Sequence, residues 1–291
     1  MVIDLENGYY RGLGDAICVA WIARGAELVG EHFEAYALKP RRIDPLTLFE
    51  VKITQSTKNR CAPLIGFETC VREGLPYDYI RWIMFQIGAT WEVARPRPAW
   101  SAWDRECGRK DSAEVLMFPQ MIWPPRAWPK NYWIELGMML KDAGINLKVV
   151  LKEPDPTGDF SGFHQIVGKP IAHVAAACSV AKLVITNESG PAHVAGAVGA
   201  KVLAICGPTT PKIYGHEPNV FCFQKKAVPC YGCHFKSPPF RYSCGIGCHE
   251  LYRTLPEDVF QKAYAMLSGK DKPVYAPSMD NYQPGMCTVT V

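Results

Sequence analysis

The stretch that most restricts the fold runs from residue 183 to residue 215, LVITNESGPAHVAGAVGAKVLAICGPTTPKIYG. Residues 183–186 form a short apolar run rich in β-branched side chains, which is typical of a buried parallel strand. A tight turn at 187–191 leads into a run of small residues at 192–198 that reads as a helix, and 201–206 is a second apolar strand. The order strand, turn, helix, strand predicts a parallel α/β sheet.

Two turns in this stretch are candidate ligand sites, because each follows a predicted strand. Such turns open at the carboxyl edge of a parallel sheet, where ligands bind in open α/β folds. Glu188-Ser189-Gly190 precede a helix whose first backbone N–H groups suit a phosphate, and Thr209 and Thr210 add two hydroxyls to the second turn. An ordinary βαβ unit without a ligand fits the local pattern equally well, so the rest of the chain has to decide.

Length, composition and charge limit the number of domains and the classes of ligand that the chain can bind. The chain has 291 residues, of which 48% are hydrophobic, enough for two domains with full cores. A formal net charge of +4 suits an anionic ligand but is too weak to indicate nucleic acid by itself. No apolar run is long enough to predict a membrane span, and the N-terminus lacks the profile of a signal peptide. These features predict a cytoplasmic protein.

The first half contains one candidate catalytic position. A predicted strand at 1–5 and a predicted helix at 16–25 are joined by a Gly-rich turn that contains Gly12, Gly14 and Asp15. The two glycines let another backbone or a ligand approach closely. Asp15 lies near the helix N-terminus, where an aspartate serves either as a helix cap or as a catalytic base. From the residues alone the cap is the stronger interpretation.

A Pro-rich, basic and then polar segment at 95–112 is predicted to link two domains. The predicted units are 1–104, 105–270 and a C-terminal tail at 271–291. In the second unit we predict a strand at 113–118, a helix at 131–144, a strand at 147–151 and further helices at 171–179 and 255–267. Arg126 lies in the loop after the first of these strands, where it is either a partner for a diphosphate or a solvated charge.

Four of the twelve cysteines fall close together, inside a loop at 228–250. Their spacing is Cys230-x2-Cys233-x10-Cys244-x3-Cys248, and the residues between the pairs include two prolines. Four thiols at this spacing suit a tetrahedral structural metal, either Zn²⁺ or a single iron. Two disulfides or free thiols are the alternatives.

Three motifs recur in one order along the chain: Gly12-Leu13-Gly14-Asp15, Arg126-Ala127-Trp128-Pro129 with Tyr132-Trp133, and residues 187–195 with Gly207-Pro208-Thr209. In this order they resemble the bacterial heptosyltransferase-like glycosyltransferases of family 9. The resemblance is specific over about residues 113–260 and rests mainly on the GxGD turn before that. It implies an α/β fold of the GT-B type. Two Rossmann-like, doubly wound domains would face each other across a cleft, with the acceptor on the first and the nucleotide sugar on the second.

The resemblance also implies roles for matching residues. Asp15 would be the base that deprotonates the acceptor hydroxyl, within the turn that includes Gly12 and Gly14. Arg126 would contact the donor phosphates in place of a lysine. Glu188-Ser189-Gly190 would hold the diphosphate, with Glu188 in place of an aspartate. The remaining implied donor contacts are His193, Thr209 and Thr210.

The resemblance extends to cofactors. Enzymes of this kind generally need no divalent metal for the chemistry. Similar four-cysteine insertions occur in the autotransporter heptosyltransferase branch, where iron is bound, so the resemblance favours a structural metal at Cys230, Cys233, Cys244 and Cys248.

The predicted function is transfer of a heptose or other sugar from a nucleoside-diphosphate sugar to an acceptor hydroxyl. The acceptor is left open between a glycan, a protein side chain and a modified nucleic acid, and a homo-oligomer is left open too. One alternative is a catalytically silent sugar-nucleotide-binding or scaffold protein. Another is a glycosyltransferase acting on modified DNA bases. A third is a nucleic-acid module built on the cysteine loop with Lys225, Lys226, Lys236 and Arg241.

Overall fold

The computed structural model describes residues 2–4, 13–36, 48–54, 61–63, 95–121, 123–209, 219–230, 232–233, 244 and 247–270. At 2–4, 13–15, 36, 54 and 61–63 it describes the backbone alone. Within these ranges the chain forms two parallel β-sheets with helices between their strands. This confirms the predicted α/β class.

The first sheet has four parallel strands in the order β3-β2-β1-β4. Its elements are β1 Val2–Asp4, α1 Leu13–Leu28, β2 Glu34–Tyr36, β3 Ile53–Thr54 and β4 Cys61–Pro63. The helix α1 follows β1 and starts at the Gly-rich turn, as predicted, but it is longer at both ends than the predicted 16–25.

The second sheet has six parallel strands in the order β10-β9-β8-β5-β6-β7. Its elements are α2 Ala102–Asp111, β5 Val115–Phe118, a 3-10 turn Pro124–Arg126, α3 Lys130–Asp142, β6 Leu147–Leu151, β7 His164–Val167, α4 Ile171–Val180, β8 Leu183–Asn187, α5 Gly190–Ala197, β9 Val202–Ile205, β10 Val220–Phe223, α6 His249–Arg253 and α7 Pro256–Leu267.

The strand order creates a switch point in the second sheet. From β5 the chain builds outward through β6 and β7, then returns to the other side of β5 and builds outward through β8, β9 and β10. The loops after β5 and β8 therefore leave the sheet in opposite directions. Ligands of doubly wound folds bind in the crevice that this divergence opens at the carboxyl edge.

The structure confirms most of the predicted elements of the second sheet. The strand at 147–151 has the predicted bounds. The helix predicted at 131–144 ends at Asp142, and Gly144 follows with a φ of 76°. A left-handed residue just past a helix is where glycine is favoured, so Gly144 ends α3 as predicted.

Two strands of the second sheet, β7 and β10, were not predicted. Both lie at edges of the sheet. In β7 His164 and Gln165 are exposed, and all four residues of β10 are half-buried. Edge strands bury less apolar area, so their sequences carry a weaker hydrophobic signal.

The segment 95–112, predicted to link two domains, contains the helix α2, which was not predicted. Its role as a link stays a prediction. Ser101 and Asp104 form a capping box, in which the Ser101 hydroxyl accepts from the Asp104 N–H at 3.1 Å. A Cβ at Gly108 would lie 2.5 Å from the Ala176 Cβ, so the glycine lets α2 lie directly against α4. His173 of α4 pairs with Asp111 at 2.7 Å. Tertiary contact with α4 therefore stabilises a polar helix that has little apolar periodicity of its own.

A shared core joins the two sheets. Ile17 and Trp21 of α1, both fully buried, belong to the same apolar cluster as Val194 and Ala197 of α5. Small residues on α5 let the two helices approach closely. The helix that carries Asp15 is thus packed against the helix that begins at Gly190.

Several predictions lie outside the described residues. These are the tail 271–291 and the positions Gly12 and Thr210. The domain limits at 104 and 270 stay a prediction. Among the described helices, none is long and apolar enough to cross a membrane.

Candidate functional site

The helix α5 begins at the carboxyl edge of the second sheet, directly after β8. Ser189 is its N-cap residue, but the Ser189 hydroxyl donates to the Asn187 carbonyl oxygen at 3.1 Å and does not cap the helix. Pro191 occupies the first turn and pre-sets the helical φ. The positive end of the helix dipole is therefore not met by its own N-cap side chain, which is the arrangement that suits an anion.

Glu188 lies one residue before this N-cap and is almost fully buried, with 2% of its surface exposed. Its Oε2 atom lies 3.1 Å from Nη1 of Arg126 and accepts a hydrogen bond of 2.7 Å from the Thr209 hydroxyl. These three side chains come from the loops after β8, β5 and β9 respectively. The switch point thus gathers residues that are far apart in sequence.

His193 completes this group, which we call the carboxyl-edge cluster: Arg126, Glu188, His193 and Thr209. The His193 ring is 6% exposed, and its Nε2 atom lies 4.0 Å from Oε1 of Glu188. Among the described residues, none makes a hydrogen bond to that Oε1 atom, which is buried. The predicted donor contacts at these four positions are therefore neighbours, although their contact with a ligand stays a prediction.

Arg126 is the cation of this cluster. Its side chain is largely buried, and its guanidinium carbon lies 4.7 Å from the centre of the Trp123 ring. The aromatic face restricts the guanidinium and contributes a cation–π contact. The nearby Lys130 pairs instead with Asp155 at 2.7 Å and Asp159 at 2.6 Å.

Asn187 was not predicted and holds the site together. It is fully buried, and its Oδ1 accepts from the Trp128 backbone N–H at 2.8 Å. Its Nδ2 donates to the Pro119 carbonyl at 3.1 Å. One side chain thereby ties the end of β8 to both ends of the loop that carries Arg126. The only signal in the sequence was a polar residue at the end of an apolar strand.

The loop after β10 supports the turn after β9. Nε2 of Gln224 donates to the carbonyl oxygens of Gly207 at 2.9 Å and Thr209 at 3.3 Å. Thr209 itself is fully buried, and its hydroxyl proton is directed to Glu188. In this state Thr209 orients the carboxylate.

The cysteine loop packs against the same turn. The Gly232 N–H donates to the Gly207 carbonyl at 3.0 Å, and a Cβ at Gly207 would lie 3.0 Å from the Cys248 Sγ. Burial raises the pKa of the Cys248 thiol to about 11, with Cys233 and Cys244 acting in the same direction.

Cys230, by contrast, is exposed. In the described part of the chain no three cysteine, histidine or acidic side chains are gathered as a metal-binding group, and no disulfide joins the cysteines. The chemistry of the four donors fits a thiolate metal, but their coordination is not formed here.

Asp15 is the third residue of α1. Its position in the first turn confirms that it lies at a helix N-terminus. Gly14 lies in the same turn. The catalytic role of Asp15 and the contacts of Gly12, Gly14 and Thr210 stay predictions.

Comparison with protein families gives one match. The model of glycosyltransferase family 9 (heptosyltransferase) matches residues 98–244, about half of the chain. The matched range contains every member of the carboxyl-edge cluster. No curated protein sequence matches the chain.

Solved structures with the same fold include three bacterial proteins. ADP-heptose lps heptosyltransferase II of E. coli has a TM-score of 0.60 at 13% identity, over 93% of this chain and 99% of that one. The dodecameric iron-containing heptosyltransferase TibC of enterotoxigenic E. coli, in complex with ADP-D-β-D-heptose, has a TM-score of 0.62 at 14% identity, over 93% of this chain and 77% of that one. A family 9 glycosyltransferase of Veillonella parvula has a TM-score of 0.61 at 14% identity, over 92% of this chain and 97% of that one. These likenesses establish the GT-B fold.

Proposed function

The chain belongs to glycosyltransferase family 9, and from that premise we propose that it moves a sugar, heptose or another, from a nucleoside-diphosphate donor to an acceptor hydroxyl. Family membership makes the protein a glycosyltransferase. The donor class, the acceptor and the residues that act are the proposal.

The observation that carries the proposal is the carboxyl-edge cluster at the switch point of the second sheet. The uncapped N-terminus of α5 and the guanidinium of Arg126 meet where a doubly wound fold binds nucleotides. An arginine and a helix N-terminus together favour a diphosphate over an uncharged ligand. Two of the similar structures are described with ADP or ADP-D-β-D-heptose bound, which supports the same class of donor.

The chemistry follows from this geometry. The bond between the anomeric carbon and the phosphate oxygen breaks, and its electron pair stays on the diphosphate. Arg126 and the amides of Ser189 and Gly190 stabilise that developing charge electrostatically. The acceptor hydroxyl forms the new bond to the anomeric carbon, and Asp15 takes its proton. The packing of α1 on α5 supports bringing Asp15 to the donor side.

The Asp15→Asn variant tests this assignment. We expect the rate of sugar transfer to fall about 100-fold or more, since a positioned base contributes at least that much, while affinity for the donor stays within about twofold. Release of nucleoside diphosphate and transfer to a panel of sugar and peptide acceptors would be measured with ADP-D-β-D-heptose and other nucleotide sugars. Asp142→Asn, an exposed aspartate at the end of α3, is the matched control. Turnover by the wild type with an unchanged rate in Asp15→Asn would contradict the role of Asp15. Binding without any turnover would favour a silent binding protein.

We also propose that Cys230, Cys233, Cys244 and Cys248 hold one structural Zn²⁺ or iron. The tetrathiol donor set and its spacing in the chain support this, as does the iron of the similar TibC structure. A bound metal would cross-link the cysteine loop beside the Gly207–Thr209 turn. Such a metal would have no open coordination position, so the chemistry of transfer does not depend on it.

Metal content checks this second proposal. We expect about one metal ion per chain by elemental analysis of the purified protein, with Cys233→Ser losing most of it because a tetrahedral site needs all four ligands. Cys107→Ser, at a half-buried cysteine of α2, should keep its metal. Wild-type protein that contains neither zinc nor iron, with all four thiols free to react, would overturn the assignment.

The cytoplasm is the proposed location, because nucleotide-sugar donors are made there and the described cysteines form no disulfide. A homo-oligomer stays a prediction. Transfer to the panel of sugar and peptide acceptors described above would identify the acceptor class.

A further inference from the structure

Glu188 places a buried negative charge beside the site proposed for an anion. A carboxylate there opposes the binding of phosphate, so its presence needs a physical reason. We infer that Glu188 sets the selectivity between the sugar-nucleotide donor and the nucleoside-diphosphate product. Its charge weakens the binding of the product more than the binding of the donor. This inference rests on the proposed function and concerns the carboxyl-edge cluster after the sugar has been transferred, when the nucleoside diphosphate is still bound.

The arrangement of the carboxylate supports this role. One oxygen, Oε2, both pairs with the Arg126 guanidinium and accepts a hydrogen bond from the Thr209 hydroxyl. The other oxygen, Oε1, accepts no hydrogen bond from the described residues and lies 4.0 Å from Nε2 of His193. The carboxylate therefore keeps one buried oxygen whose charge no hydrogen bond from the described residues offsets.

Transfer changes the charge at this site. When the anomeric C–O bond breaks, the electron pair remains on the terminal phosphate oxygen, and the acceptor proton goes to the base on the other side of the reaction centre. The nucleoside diphosphate therefore carries one more negative charge than the sugar nucleotide it came from. That extra charge appears on the phosphate that Arg126 and the α5 N-terminus contact, close to Glu188.

The size of the effect follows from Coulomb's law in a partly buried site. Glu188 is 2% exposed, so solvent screens it poorly. One extra charge about 6–8 Å away at an effective dielectric constant of about 20 changes affinity by roughly 30-fold to 100-fold. Arg126 still attracts both ligands, so Glu188 acts mainly on the difference between them.

Titration calorimetry of the full-length protein with ADP and with ADP-D-β-D-heptose tests the inference. In Glu188→Gln, which keeps an oxygen to accept from Arg126 and Thr209 but removes the charge, we expect ADP to bind about 30-fold more tightly relative to the donor than it does in the wild type. Thr209→Val is the matched control. It removes the hydroxyl that orients Glu188 but leaves the charge, so both affinities should change together.

A second measurement uses the wild type alone and does not depend on a variant that folds. The β-methyl ester of ADP has the charge of the donor without its sugar. Arg126 and the α5 N-terminus favour the extra charge of ADP while Glu188 opposes it, so we expect ADP to bind less than about 10-fold more tightly than this ester. A preference for ADP over its methyl ester of more than about 10-fold would overturn the inference.

The remaining outcomes separate this inference from the proposed function. If Glu188→Gln weakens ADP and ADP-D-β-D-heptose by the same factor, Glu188 only positions Arg126 and the selectivity role is wrong, although the donor site stands. If wild-type protein binds neither ligand nor any other nucleoside diphosphate, the proposed function fails and this inference with it.

Discussion

Arg126→Met is expected to reduce sugar transfer about 1,000-fold and to destabilise the fold at the same time. Removing one preorganised cation from a developing charge costs two to three orders of magnitude in rate, as about 2.7–4 kcal/mol of transition-state stabilisation is lost. The side-chain exposures of Arg126 and Glu188 are 18% and 3%, so the carboxylate would be left buried without its counter-ion. Breaking a buried pair in this way costs about 3–5 kcal/mol of unfolding free energy. Transfer kinetics and urea denaturation measure the two effects.

A double variant separates the two roles of Arg126. In Arg126→Met/Glu188→Gln the buried charge is gone, so we expect the unfolding free energy to recover by about 2 kcal/mol or more while transfer stays low. Lys130→Met is the control for a nearby cation, whose partners Asp155 and Asp159 lie in a partly exposed loop. Its stability should change by less than about 1 kcal/mol and donor binding should remain. Full transfer by Arg126→Met would contradict the proposed donor site.

Trp128→Ala is expected to lower the unfolding free energy by about 3–5 kcal/mol. Trp128 is 2% exposed and lies edge-on to Trp133, with ring centres 5.0 Å apart. Its indole N–H donates to the Thr254 carbonyl at 2.7 Å, joining the loop after β5 to the segment between α6 and α7. The substitution opens a large cavity and leaves that buried carbonyl without its donor. Urea denaturation followed by far-UV circular dichroism measures the loss.

Trp128→Phe isolates the hydrogen bond within this effect. It keeps most of the apolar volume, so we expect a loss of about 1–3 kcal/mol, clearly smaller than for alanine. Because Trp128 lies two residues after Arg126, both variants should also weaken ADP binding, the alanine more strongly. A loss of less than about 1 kcal/mol for Trp128→Ala would show that the loop after β5 does not depend on this anchor.

The fold class could be predicted from the sequence because it depends on hydrophobic patterns within short segments of the chain. The strands β5 and β9 are continuous apolar runs, and β6 and β8 are apolar apart from Lys148, Thr186 and Asn187. Such runs bounded by turns indicate a buried parallel sheet. The helix α2 escaped prediction because its stability comes from Gly108 lying against Ala176 and from the pair His173–Asp111. Those contacts join residues far apart in the chain.

For the candidate site, the sequence by itself determined which residue types follow which strands: Arg126 after β5, Glu188 after β8 and Thr209 after β9. It also determined that Asp15 lies at the start of a helix. Only the tertiary structure decided that these loops meet, because their meeting depends on strand order, and strand order is fixed by non-local packing. For the same reason it decided that Thr209 donates to Glu188 and that Asn187 holds Trp128. The distance between the Glu188 carboxylate and the Arg126 guanidinium depends on how the strands are ordered in the sheet, and a local sequence pattern contains no information about that order.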